Sequence, residues 1–136
     1  DAWKLNPAIF SLLNSESFGN YQLELFSSKH SNLMPTFCVD PKDHQIGDPG
    51  LPNAFSQNIS KTHVYANPPW RLIRETIRFM SESNSSGTLI IPLYSKSKWF
   101  HTLLQHCFHH PVLIPPHQDT FLPQSLHHSS GLGLPP

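Results

Sequence analysis

Apolar and polar positions along this chain follow two different periods. Behind Asn6, a good N-cap, and Pro7, a good first helical residue, Ile9, Phe10, Leu12 and Leu13 recur at helical spacing. They predict a helix from Pro7 to about Phe18, closed by Gly19-Asn20. From Tyr21 to Phe26 the period drops to two, with Tyr21, Leu23 and Leu25 on one face and Gln22 and Glu24 as polar alternates. That stretch predicts a short strand. A second apolar strand is predicted at Thr62-His63-Val64-Tyr65-Ala66, followed by an amphipathic helix starting near Arg71, in which Leu72 or Ile73, Ile77 and Met80 recur. Ser81 to Gly87 ends that helix. Thr88 to Tyr94 is the most apolar strand candidate, and Pro92 within it implies an edge position or an early end. Ser97 to Phe108 predicts another amphipathic helix through Phe100, Leu103, Leu104 and Cys107, stopped by Pro111, with Val112-Leu113-Ile114 as a last strand candidate.

Two stretches break this rhythm. From Asp40 to Ser60 the composition turns to Pro, Gly, Asp and Asn, which predicts a loop of about 20 residues, long enough to serve as a lid or substrate loop. Beyond residue 118 the chain becomes rich in Pro, Ser, His and Gly, so residues 119–136 read as a tail or linker and residues 1–118 as the folded domain. Strands separated by helices imply right-handed crossovers and a mainly parallel sheet with helices on both faces, a three-layer α/β fold. Ligands of such sheets bind at the carboxyl ends of the strands. Asn67, directly after a predicted strand, falls on that side.

The composition narrows the function classes. With 136 residues the chain is one domain's worth and has no room for a large separate recognition domain. It starts at Asp1 without a methionine or a basic-plus-apolar leader, and no apolar run approaches the ~20 residues of a membrane helix. We therefore expect an excised segment of a longer intracellular protein, cytoplasmic or nuclear. Net charge is zero and only 13% of residues are charged, so there is no global electrostatic footprint for nucleic acid. Arg71, Arg74, Arg78, Lys96 and Lys98 are candidates for local phosphate contacts, although an ordinary solvated helix face with an Arg71/Glu75 pair accounts for the arginines as well. Cys38 and Cys107 form no Cys-x-x-Cys pair, which argues against a disulfide scaffold. His101, His106, His109 and His110 cluster around Cys107 without a second group at zinc-like spacing, and surface histidines without a metal are the expectation.

The chemistry concentrates in Asn67-Pro68-Pro69-Trp70, at the predicted strand-to-helix turn. The nitrogen lone pair of an exocyclic amine on a purine is delocalised into the ring and attacks poorly. An amide oxygen from Asn67 and the Pro68 carbonyl would accept hydrogen bonds from such an amine, while the Trp70 ring would stack on a base drawn out of its helix. The same four residues also suit a plain exit from strand to helix: Asn caps, the prolines fix φ, and Trp packs.

The tetrapeptide resembles the catalytic Asn/Asp-Pro-Pro-aromatic motif of amino-group DNA methyltransferases. The resemblance extends through Trp3-Lys4-Leu5-Asn6-Pro7, Phe10, Phe18-Gly19, Leu23-Glu24-Leu25-Phe26-Ser27-Ser28, Asn32 and Pro35. After the motif it continues with Leu89-Ile90-Ile91-Pro92-Leu93, Trp99-Phe100 and Asp119-Thr120-Phe121-Leu122-Pro123. In this order the segments resemble the Dam-like adenine-N6 methyltransferase region of DIRS-type retrotransposon polyproteins, which is similar to phage adenine methyltransferases. The resemblance implies a minimal Rossmann-like, methyltransferase-type sheet and S-adenosylmethionine as donor. It implies Asn67, Pro68, Pro69 and Trp70 as catalytic residues, and Glu24, Phe26 and Ser27 as donor contacts, Glu24 supplying the carboxylate for the ribose. DNA and the neighbouring reverse transcriptase and RNase H of the same polyprotein are the implied partners. The chain departs from the pattern in three places. The turn Ser27-Ser28-Lys29-His30-Ser31-Asn32 has no glycine, Glu24 stands where Asp is usual, and Asn53-Ala54-Phe55-Ser56 stands where related elements tend to have Asp-Ala-Phe-Ser. These departures keep a second reading open: an inactive structural or nucleic-acid-docking module beside the reverse transcriptase.

Overall fold

A computed structural model of the chain describes residues 3–15, 18–92, 96, 98–105 and 120–123. The first helix, α1 (Pro7–Ser15), starts where the cap predicts, with the Asn6 Oδ1 accepting the Ala8 amide at 2.9 Å. Behind it the chain folds back tightly. The Asn14 carbonyl accepts from the Asn20 amide at 3.2 Å, and the Asn14 side chain accepts from the Tyr21 amide at 3.0 Å. A Cβ on Gly19 would lie 1.8 Å from the Asn14 carbonyl oxygen, so only glycine passes there.

Five short strands form one parallel sheet: β2 (Leu23–Ser27), β3 (Phe37–Val39), β4 (Leu51–Pro52), β5 (His63–Ala66) and β6 (Ser86–Leu89). Their order is β4-β3-β2-β5-β6, every neighbouring pair parallel. The chain thus builds outward from β2 to β4, then returns to lay β5 against the other side of β2. A separate antiparallel ribbon pairs β1 (Trp3–Leu5) with β7 (Phe121–Pro123). Helix α2 (Ile73–Glu82) follows β5 through a 3₁₀ turn at Trp70–Leu72, and α3 (Lys98–Gln105) lies against α2.

Both faces of the sheet are covered. On one, Leu23, Leu25, Cys38, Val64 and Ala66 pack with Ala54 and Ile59, and Phe79 and Met80 of α2 close over them. On the other, Tyr65 and Tyr21 pack with Leu5, Phe10, Met34 and Ile90, under Ile9 and Leu13 of α1 and Phe121 of β7. No helix among the described residues is long and apolar enough to cross a membrane.

Several sequence-based expectations change. Tyr21 does not share a face with Leu23 and Leu25, because the strand begins only at Leu23 and Tyr21 lies in the opposite cluster. Glu24, expected as a polar alternate, is 3% exposed, because β2 is the middle strand of a sheet buried on both sides. The predicted loop 40–60 contains β4 and a 3₁₀ turn at Ala54–Ser56, and β3 just before it carried no strand prediction. The last apolar strand runs from Ser86 to Leu89, shorter and earlier than predicted, and it is an edge among the described strands, as Pro92 implied. Residues 120–123, assigned by composition to the tail, belong to the folded unit: Thr120 is buried, its carbonyl accepts from the Asn6 amide at 2.7 Å, and β7 pairs with β1. The strand candidate Val112-Leu113-Ile114, Cys107 and His106, His109 and His110 lie outside the described residues.

Candidate functional site

All five strands point the same way, so their carboxyl ends share one edge of the sheet. Ser27 ends β2, Val39 ends β3 and Ala66 ends β5. Neighbouring strands lie ~4.8 Å apart, which puts the turns after β3, β2 and β5 within about 10 Å of one another. The switch in strand direction of growth, between β2 and β5, opens at this edge. Sheets of this kind bind ligands at such a point because the two adjoining connections leave on opposite faces.

The turn after β5 carries Asn67-Pro68-Pro69-Trp70. Asn67 is half-buried, and its side-chain amide has no hydrogen-bond partner among the described residues. Pro68 is buried, and the Pro69 carbonyl accepts the Leu72 amide at 2.9 Å, starting the 3₁₀ turn that leads into α2. Two consecutive prolines hold φ near −65° and so aim the turn. Trp70 keeps 44% of its surface exposed. The helix behind is anchored by Ile73, fully buried, and by the Thr76 hydroxyl, which donates to the Leu72 carbonyl at 2.7 Å.

The turn after β2 is built of hydroxyls. Ser31 is 2% exposed and its Oγ lies 2.8 Å from that of Ser28 and 3.3 Å from that of Ser27. Opposite β3 the register of β2 shifts between Glu24 and Ser27: three steps on β2 match two on β3, one extra residue at the end of the strand. Such a bulge bends the strand end and re-aims its side chains. Leu25 and Phe26 accordingly both lie against the α2-side cluster, where Phe26 meets Phe55 edge to face at 5.8 Å and Phe55 meets Phe79 at 5.4 Å.

The structure places Glu24 elsewhere than the open edge. It is the second residue of β2, and its Oε1 accepts the Leu33 amide at 2.8 Å and the Met34 amide at 3.2 Å. Burial pushes its carboxyl up to about 7, against the lowering effect of the Leu33, Met34 and Ser27 hydrogen bonds and the Lys4 charge. It faces Tyr65 across the strand pair, and the Tyr65 hydroxyl is buried without a hydrogen-bond partner among the described residues. Burial, with the charges of Glu24 and Tyr21, raises that phenol well above its ordinary range. Burial and Glu24 likewise push the Cys38 thiol up to about 11, an inert sulfhydryl.

The carboxylate that does reach the open edge is Asp40, the residue after β3. Its side chain is 36% exposed, one oxygen accepts the Lys42 amide at 2.9 Å, and the other lies 3.6 Å from Arg71. Arg71 therefore bridges the β3 and β5 turns instead of forming the predicted pair with Glu75. Sequence reasoning missed Asp40 because β3 was missed. A three-residue apolar run, Phe37-Cys38-Val39, ending in Asp was the available signal. Around the same edge Lys29, His30 and Lys42 are exposed in the first two turns and Arg74 in the first turn of α2, with Lys96 and Lys98 exposed beyond β6. Arg78 sits a turn further along α2, away from it. Among the described residues no three His, Cys, Asp or Glu side chains converge to hold a metal ion, and His101 is exposed.

The chain matches no family model, and neither a curated protein nor a solved structure matches it.

Proposed function

We propose that the chain is an S-adenosylmethionine-dependent, DNA adenine-N6 methyltransferase-like domain of a retroelement polyprotein, on a minimal Rossmann-like, methyltransferase-type sheet. One observation carries the reading: Asn67, with an unpartnered amide, follows the interior strand β5 at the switch point, beside the turn that ends β2. In this reading Asn67 Oδ1 and the Pro68 carbonyl accept the two N–H bonds of adenine N6, which returns electron density to the nitrogen. Pro69 fixes the turn, and the exposed part of the Trp70 ring stacks on the extruded base. Lys29, Lys42 and Arg74 provide cations for flanking phosphates.

The residues of the β2 and β3 turns fit a nucleoside-type donor. Ser27, Ser28 and Ser31 keep the first turn small where glycine is usual, and Asp40 offers the adjoining strand end a partly exposed carboxylate for the ribose hydroxyls. When bound, the donor supplies an electrophilic methyl group. The protein's own residues orient the amine for in-line attack and exclude water, and the proton lost from N6 leaves to solvent after the nitrogen–carbon bond forms.

Incorporation of labelled methyl groups into adenine-containing duplex DNA tests the proposal. We expect transfer by the native domain and a loss of ~10²-fold or more in Asn67→Ala at unchanged melting temperature. Transfer that survives the substitution contradicts the assignment. The second reading, an inactive docking module, draws on the burial of Glu24 and the glycine-free turn; DNA binding with no transfer in any variant is its signature.

A further inference from the structure

Glu24 is the one buried carboxylate among the described residues, and it lies within β2, between the Leu33–Met34 segment and strand β5. Toward the β2 side, Oε1 binds the consecutive amides of Leu33 and Met34, and these residues close the segment that starts with the Ser27–Ser31 hydroxyl cluster. Toward the β5 side, Glu24 pairs in register with Tyr65, two residues before Asn67. Besides the Ser27 hydroxyl, which hydrogen-bonds the carboxylate, the elements packed around it offer little other polarity: Lys4 from β1, Cys38 from β3, the Tyr21 and Tyr65 phenols, and otherwise Leu5, Phe10, Met34 and Ile90. A carboxylate shut into such surroundings costs free energy that a ligand contact at an exposed rim would not require. Its bonds to two backbone amides are what it obtains in return, since without it both amides would lie partly buried and unpaired.

We propose that Glu24 is a positioning residue, which holds the Leu33–Met34 segment against the middle of β2 and thereby sets the shape of the Ser27–Ser31 turn, and that it makes no contact with the donor. Its effect on the donor rests on the methyltransferase reading; its hold on the turn does not. The backbone of the same residue pairs with Tyr65 in β5, the strand that presents Asn67, so the residue that holds the turn lies in the strand beside it.

The test is residue-resolved amide hydrogen exchange on the ligand-free domain, for the native chain, Glu24→Ala and Glu24→Gln, combined with titration by S-adenosylhomocysteine. In Glu24→Ala the Leu33 and Met34 amides should exchange at least about tenfold faster relative to Val64 in β5. Glu24→Gln, which keeps the acceptor oxygen and the shape, should restore most of that protection and hold ligand affinity within about threefold of native. A rim carboxylate on the ribose predicts the reverse pattern: exchange unaffected by either substitution, and Gln as damaging to affinity as Ala. That pattern overturns the proposal. Should Ala fail to fold, Gln decides through the same two readouts, since native-like affinity is expected from positioning alone. If no variant, native included, binds the ligand, the methyltransferase reading falls, while the exchange rates still decide whether Glu24 holds the turn.

Discussion

The turn after β2 is tied from within: three serine hydroxyls bond one another, a buried carboxylate grips the amides that follow, and the bulge at the strand end sets the exit. The turn after β5 is shaped by two prolines instead, and it leaves an unpartnered amide and a half-exposed indole at the rim. The first turn has spent its hydroxyls on structure, whereas the turn held by proline rings leaves the Asn67 amide for a ligand. On the proposed reading the first turn gives support and the second chemistry, and Asp40 and Arg71 tie the second turn to the turn after β3 at the surface.

The largest effect should come from the support. The Glu24 carboxyl is raised from 4.5 to about 7 by burial, so the folded state binds its proton more tightly than the unfolded chain does. Stability from this group is then complete below the unfolded value and lost as pH rises through about 7, a loss on the order of 3 kcal/mol between about pH 5 and pH 8. Denaturant melts across that range should show the decline, and Glu24→Gln should flatten it. Next comes the chemical turn. Trp70→Ala should cost the fold only the packing of the buried part of the residue, of which 44% is exposed, yet weaken binding of an adenine-containing single strand by about 1–3 kcal/mol in a fluorescence titration. A smaller loss of stability, about 1 kcal/mol, is expected for Ser31→Ala, which removes the hydroxyl shared by Ser27 and Ser28 and is read from the urea midpoint. Smallest is the Asp40–Arg71 contact at 3.6 Å between exposed side chains, worth at most about 0.5 kcal/mol of stability. If Asp40→Asn costs several times that, the β5 turn is held by a side-chain contact to the β3 turn as well as by its prolines, and its contrast with the β2 turn weakens.

The local parts of this architecture were legible because their signals are local. Asn6 and Pro7 announced α1, the Ile73 and Ile77 spacing announced α2, and the position of Asn67 after a strand followed from the apolar run before it. What stayed hidden depends on neighbours. Strands β3 and β4 are three and two residues long, too short to show a period, and they exist only because β2 and one another supply hydrogen-bond partners. Missing them concealed Asp40. Glu24 reads as a solvent-facing alternate by period, since nothing in the sequence says that both faces of β2 are covered or that the Leu33 and Met34 amides come back to meet it. Residues 120–123 read as tail by composition, and only the pairing of β7 with β1, more than a hundred residues earlier in the chain, makes them structure.

Calorimetric titration of the domain with S-adenosylhomocysteine, in parallel with Asp40→Ala, tests the central claim most directly, that the carboxyl edge between β3, β2 and β5 is a working donor site. Micromolar binding by the native domain, lost or weakened at least about tenfold by Asp40→Ala, is the result this account predicts. No heat at millimolar ligand, or binding that Asp40→Ala leaves untouched, would contradict it.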